Sequence, residues 1–220
     1  SLALRAYLTC LAREQAAQPC SAGTTHIMSG LRKLSACPVM HQPLSEDEVV
    51  NTSSHFALGG YLSTEFLIIT GAHNLLASGQ WKLLADEPGL IERAVWEMLR
   101  YDAPFQMADR WVARDCYLGD VALPAGSKLV VVYGSANRDE KVFPERPGEF
   151  DIRRDYDPQQ IYGFGHGIHR CIGEKLALAT AAATISTLVK AFPDAKLSGK
   201  GQWLADPYFR SLDALAVLPR

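Results

Sequence analysis

The densest reactive chemistry in the chain lies in ten residues, Phe164-Gly165-His166-Gly167-Ile168-His169-Arg170-Cys171-Ile172-Gly173. Gly165 and Gly167 let the backbone turn tightly. Cys171 falls just before a helical pattern, where unpaired N–H groups and the helix dipole favour negative charge. It is therefore expected to serve as an anion or a metal ligand. Two metal chemistries could use it. A zinc ion could take His166, His169 and Cys171, but that set is crowded, lacks a fourth ligand and shows no paired-thiolate spacing. Haem iron needs only one thiolate, presented by a loop that approaches the porphyrin closely enough to require glycine. The haem reading accounts for more of the residues.

Two further features could do work beside that loop. Glu97 and Arg100 stand three apart in a helical pattern and can form an ion pair, a device that on a solvated face contributes only a few tenths of a kcal/mol. Gly59-Gly60 sits inside another helical pattern, where each glycine weakens the helix by about 1 kcal/mol relative to Ala. Either the helix is slack there or a ligand approaches it closely.

The elements that must hold these residues are legible in outline. Residues 2 to 17 carry an apolar helical stripe, and residues 18 to 44 are broken by Pro19, Gly23, Gly30, Pro38 and Pro43, leaving room for a short helix at Met28 to Leu31. Ser45-Glu46-Asp47-Glu48 is a capping box, so a long helix is predicted from Ser45 through Leu76, apolar around much of its circumference and therefore central. Asp86-Glu87-Pro88 opens a helix that carries Glu97 and Arg100. Short strands are predicted at Trp111 to Leu118, Lys128 to Tyr133 and Ala214 to Leu218, making a minor sheet. Residues 134 to 165 read as a long loop, a length that usually serves a site. A last helix follows Gly173 and stops before Pro193. The predicted fold is mainly α with a small β portion, a single domain over residues 1–220.

Composition excludes several alternatives. The chain has 220 residues, 22 Lys plus Arg against 24 Asp plus Glu, and 48% hydrophobic residues. That length buries roughly 70% of the unfolded surface without help from disulfides. There is no clustered basic excess for nucleic acid. The uncharged stretches Phe66 to Trp81 and Leu176 to Val189 are too short to cross a membrane, and the opening residues Ser1-Leu2-Ala3-Leu4-Arg5 show no basic-then-apolar signal pattern. Cys10, Cys20, Cys37, Cys116 and Cys171 are odd in number and contain no C-x-x-C pair, which points to a reducing cytoplasm.

The decapeptide resembles the haem-binding signature of the cytochrome P450 family, with Phe164, Gly167, Cys171 and Gly173 at its fixed spacing. Glu97-Met98-Leu99-Arg100 resembles the family's E-x-x-R helix, and Ala136-Asn137-Arg138-Asp139 with Phe143-Pro144 resembles its bacterial pre-haem segment. The resemblance implies the C-terminal half of the cytochrome P450 fold binding haem b (iron protoporphyrin IX). Cys171 would be the axial ligand of the haem iron, and Phe164 would shield its sulfur. Gly165 and Gly173 would shape the loop, and His169 and Arg110 would bind the propionates. Glu97 and Arg100 would be a buried structural pair. Gly59 and Gly60 would let the long helix approach the porphyrin.

In the family an acid and a Thr after the small-Gly pair organise proton delivery. Here Gly59-Gly60-Tyr61-Leu62-Ser63-Thr64 occupies the matching place. Leu62 cannot transfer a proton, whereas Ser63 and Thr64 keep hydroxyls, and Glu65 lies about 300° around the helix from Leu62. The altered relay implies either weak monooxygenation or an atypical oxidation such as coupling or ring formation. By family position Tyr61, Phe105, Gln106, Met107, Tyr208 and Phe209 would line the substrate pocket. The implied activity is oxidation of a small apolar or aromatic metabolite in specialised metabolism, with electrons from a ferredoxin-like donor. An alternative is a non-catalytic relative that stabilises a partner enzyme. Family members are about twice this length, so the N-terminal half is expected elsewhere: in a longer protein, on a separate chain, or replaced by a second copy.

Overall fold

A computed structural model of the chain describes residues 2–17, 27–33 and 43–219. Expectations for Pro19, Cys20, Gly23, Cys37 and Pro38 fall outside these described residues. The chain forms two compact units, Ser1–Leu62 and Ser63–Arg220.

In the first unit, α1 (Leu2–Ala17), α2 (Ile27–Lys33) and the start of α3 (Glu46–Ala77) bury Leu8, Ala12, Met28, Leu31, Val49 and Val50 together. The predicted capping box is formed: the Glu48 N–H donates to Ser45 Oγ at 3.3 Å, and the Ser45 N–H donates to Glu48 Oε2 at 2.7 Å. That backbone hydrogen bond holds the Glu48 carboxyl below its usual range. Arg32 forks onto Glu46 at 2.8 and 3.1 Å and donates to the Ala12 carbonyl at 2.8 Å, so one guanidinium ties α2 to both neighbours.

The second unit has its core between α5 (Ile91–Tyr101) and α7 (Glu174–Ala191), where Ala94, Val95 and Met98 are buried in one cluster with Ala181, Ile185 and Val189. The later turns of α3 add Leu67, Ala72 and Leu75. A helix that the sequence pattern does not reveal, α4 (Gln80–Asp86), follows Gly79 and buries Trp81 and Leu84. The Trp81 indole N–H donates to the Phe192 carbonyl at 2.9 Å. A 3-10 turn at Pro88–Leu90 leads into α5, so the proline-initiated entry lies one turn before the regular helix.

Among the described residues the minor sheet is four separate antiparallel pairs: β1 (Met107–Trp111) with β4 (Lys128–Val132), β2 (Cys116–Leu118) with β3 (Val121–Leu123), β5 (Lys196–Leu197) with β8 (Val217–Leu218), and β6 (Gln202–Trp203) with β7 (Leu212–Ala214). The predicted strand Trp111 to Leu118 is therefore divided, because the chain bends between β1 and β2. There the Asp115 carboxylate accepts the Ala125 N–H at 2.7 Å. Tyr133 leaves β4 to begin the short α6 (Tyr133–Ala136), and Ala214 to Leu218 likewise belongs to two strands. The long helix read as central is not buried throughout: Ala57 to Leu62 are all exposed, and the turns on either side carry the buried apolar residues. Among the described residues no helix is long and apolar enough to cross a membrane.

Candidate functional site

Cys171 is a free, exposed thiol at the end of a loop whose shape its own backbone fixes. The Gly165 N–H donates to the Tyr162 carbonyl at 2.8 Å, Gly167–His169 makes a 3-10 turn, and the Cys171 N–H closes the loop onto the Phe164 carbonyl at 2.9 Å. Gly165 and Gly167 have φ of 71° and 72°, left-handed values that glycine takes without steric cost. Beneath the loop the Phe164 ring meets Trp96 edge-on at 6.0 Å and joins the core of the second unit. Gly173, the N-cap of α7, follows at φ −87°.

The loop is pinned from both sides. Arg170 forks onto Glu174, one helical turn on, at 2.7 and 2.9 Å. This bidentate pair was missed from sequence, although its i,i+4 spacing is a readable signal. On the other side a Cβ on Gly163 would lie 2.6 Å from Leu99 Cγ, and Leu99 is itself buried in α5. Gly163→Ala is therefore expected to cost about 1–3 kcal/mol by overpacking, read as a lower urea midpoint. An unchanged midpoint would show that Leu99 yields freely.

Glu97 and Arg100 are 1% and 0% exposed. Arg100 Nε and Nη2 each donate to the Glu97 carboxylate at 2.7 Å. The guanidinium also donates to the carbonyls of Asn137 at 3.0 Å, Pro147 at 2.8 Å and Glu149 at 2.9 Å, and Glu97 Oε1 accepts the Asp151 N–H at 2.9 Å. All five guanidinium N–H groups are thus used. Asn137 is itself fully buried, and its Oδ1 accepts the Tyr162 N–H at 2.8 Å. A second buried carboxylate, Asp102, went unnoticed in the sequence. It accepts from Asn74 at 2.9 Å, Arg138 at 3.1 Å and Arg210 at 3.2 Å. Its partners are scattered over more than a hundred positions, so no spacing marks it.

The residues expected around a substrate divide into groups. Phe105 and Phe209 pair across an isolated bridge with rings 4.7 Å apart, and Phe66 meets Phe209 at 5.9 Å. The Gln106 N–H donates to the Tyr208 carbonyl at 2.8 Å, while the Gln106 side chain turns back to the Ala103 carbonyl at 2.7 Å. Tyr208 Oη donates to Asp109 at 3.3 Å. Met107 begins β1. Gly59, Gly60 and Tyr61 lie on the exposed stretch of α3, and Ser63 and Thr64 follow on the same helix. A Cβ on Gly59 or Gly60 would meet no protein atom within 4 Å, so neighbouring protein atoms do not demand glycine there. Arg110 on β1 donates to Tyr133 Oη at 3.1 Å and to the Asp109 carbonyl at 2.8 Å, and His169 is exposed on the loop.

These residues suit a flat apolar macrocycle better than a zinc ion. Among the described residues no cluster of three His, Cys, Asp or Glu side chains could share a metal. Ile168, Ile172 and Leu176, within five residues of Cys171 in sequence, are 96%, 84% and 73% exposed. Apolar side chains held in water are unfavourable by about 25 cal/mol per Å², and a bound porphyrin would be a partner able to cover them.

Comparison with known proteins identifies the family. The family model described as Cytochrome P450 matches residues 80–207. A steroid C26-monooxygenase of Mycobacterium tuberculosis is 36% identical over 155 residues, covering 70% of this chain and 41% of that protein. A biotin biosynthesis cytochrome P450 of Bacillus subtilis is 36% identical over 177 residues, covering 79% and 44%. The crystal structure of P450BioI in complex with hexadec-9Z-enoic acid ligated acyl carrier protein superposes with a TM-score of 0.88 at 31% identity, covering all of this chain and 54% of that one. The chain spans about half the length of the relatives it matches.

Proposed function

Because this chain belongs to the cytochrome P450 family, we propose that it forms the thiolate-bearing part of a haem-dependent oxidoreductase acting on a small apolar or aromatic metabolite. The observation that carries the reading is the free, exposed Cys171 thiol, set in a glycine-turned loop whose neighbours in sequence include exposed Ile168, Ile172 and Leu176. Cys171 would hold the iron of haem b, with Phe164 packed behind the loop and His169 and Arg110 placed for the propionates. When bound, haem supplies the activation of dioxygen at a thiolate-ligated iron. The protein's own residues must orient the substrate, exclude water and deliver protons.

Phe105 and Phe209 would offer apolar surface to a substrate. Ser63 and Thr64 would hold the protons to be delivered, with Gly60 leaving space beside the helix. Leu62 is unable to carry one, which favours weak monooxygenation or a coupling reaction in which the substrate supplies its own protons. Electrons would come from a ferredoxin-like donor in a cytoplasmic setting. The remaining half of the fold would come from a longer chain, a separate polypeptide or a second copy.

The test is spectroscopic. The reduced protein with carbon monoxide is expected to show the red-shifted band of thiolate-bound haem, and a colourless protein holding stoichiometric zinc would overturn the assignment. For the relay, Leu62→Asp is expected to raise the share of electrons recovered in oxygenated product by several-fold. Equal coupling in the two proteins would remove the proton-delivery reading.

A further inference from the structure

Asn137 lies at the junction of two features of the second unit, the buried Glu97–Arg100 pair and the Cys171 loop, and its two ends face different ones. Its backbone carbonyl accepts from Arg100 Nη1 at 3.0 Å, and its own N–H is tied to the Tyr133 carbonyl at 2.9 Å. Its side-chain Oδ1 accepts the Tyr162 N–H at 2.8 Å. The amide orientation is unambiguous, because a backbone N–H can only donate. Tyr162 in turn supplies the carbonyl that closes the first turn of the Cys171 loop onto Gly165, at 2.8 Å. A short bonded path therefore runs from the ion pair, through one asparagine, to the start of the loop that carries the thiol.

The other half of the same side chain shows what this link costs. Asn137 is 0% exposed, and its Nδ2 has no hydrogen-bond partner among the described residues. Burying an unpaired amide donor is unfavourable, and an apolar residue of the same branched shape would avoid it. What an apolar residue could not do is accept the Tyr162 N–H. The physical reason for an asparagine here is its carbonyl oxygen.

We infer that Asn137 is a positioning residue that fixes the Cys171 loop against the Glu97–Arg100 pair, and thereby sets how the thiolate meets the iron. The iron-binding part rests on the haem-thiolate reading above. The link to Tyr162 does not, and the two are tested apart.

Asn137→Leu keeps the shape and removes the acceptor, and Asn137→Asp keeps an acceptor oxygen. In hydrogen–deuterium exchange the Tyr162 amide is expected to exchange at least about tenfold faster in Asn137→Leu, while the α7 amides of Ala181 and Ile185 stay within about twofold of wild type. Asn137→Asp is expected to restore Tyr162 to within about threefold. If Asn137→Leu does not fold, Asn137→Ser, too short to reach Tyr162, provides the same comparison. In the reduced, carbon monoxide-bound protein the variant lacking the acceptor is expected to lose part of the thiolate-bound band and Asn137→Asp to retain it. The inference is overturned if Tyr162 exchange is unchanged in the acceptor-less variant, if it rises only in step with Ala181 and Ile185, if Asn137→Asp fails to restore it, or if the band is indifferent to all these substitutions. A wild-type protein without a thiolate-bound band would instead overturn the haem reading, leaving the exchange comparison to decide the role of Asn137.

Discussion

Arg100→Leu is expected to destabilise the second unit by about 3–5 kcal/mol, a large share of the roughly 5–15 kcal/mol that holds a typical domain together. The size follows from what would be left behind. Glu97 would keep only the Asp151 N–H and a contact to Arg154 Nε at 3.5 Å, in a place where water does not reach. The backbone carbonyls of Asn137 and Pro147 would lose their donor at the same time, and that of Glu149 would keep only Arg154 Nη2 at 3.0 Å. Arg100→Lys is no conservative exchange here. An ammonium has three donors on a flexible stem and cannot reproduce a planar fork that serves five acceptor positions. Urea denaturation followed by circular dichroism measures both variants. Midpoints close to wild type would mean that the pair is dispensable.

Cys171→Ser is expected to abolish thiolate ligation while leaving the fold in place. The thiol is exposed and free, and the hydrogen bond that closes the loop is made by the Cys171 backbone N–H, which serine keeps. Stability should therefore move by no more than about 0.5 kcal/mol, the range of surface substitutions. Oxidation should fall by at least about 100-fold, because the hydroxyl of serine is a far poorer anion than a thiolate at neutral pH. The reduced, carbon monoxide-bound spectrum and substrate turnover, taken on the same sample as a thermal melt, check the two halves together. Retained activity in a folded Cys171→Ser protein would remove the sulfur from the mechanism. An unfolded one would show that the loop depends on the side chain after all.

What the sequence discloses and what it hides differ by range of interaction. The capping box at Ser45 and Glu48 is legible because its partners are three residues apart, and the long α3 follows from it. The loop from Phe164 to Gly173 is legible because its chemistry is concentrated in ten positions. The spacing of Glu97 and Arg100 shows that they can pair, but their burial depends on carbonyls 37 to 49 residues further along, in a segment without periodicity. Asp102 is hidden for the same reason. The divided strands are missed because apolar residues resume at Cys116 directly after Arg114-Asp115, and α4 because seven residues are too few to establish a helical period.

The clamp around Arg100 has a consequence for how this chain can vary. One rigid, planar cation meets backbone oxygens at positions 137, 147 and 149, so it gauges the residue count between them and is blind to most of the side chains. Exposed positions such as Glu140, Lys141 and Glu145 can be rewritten at little expense. An inserted or deleted residue in the same stretch would carry at least one oxygen out of register, which makes this surface loop far less permissive of indels than loops usually are.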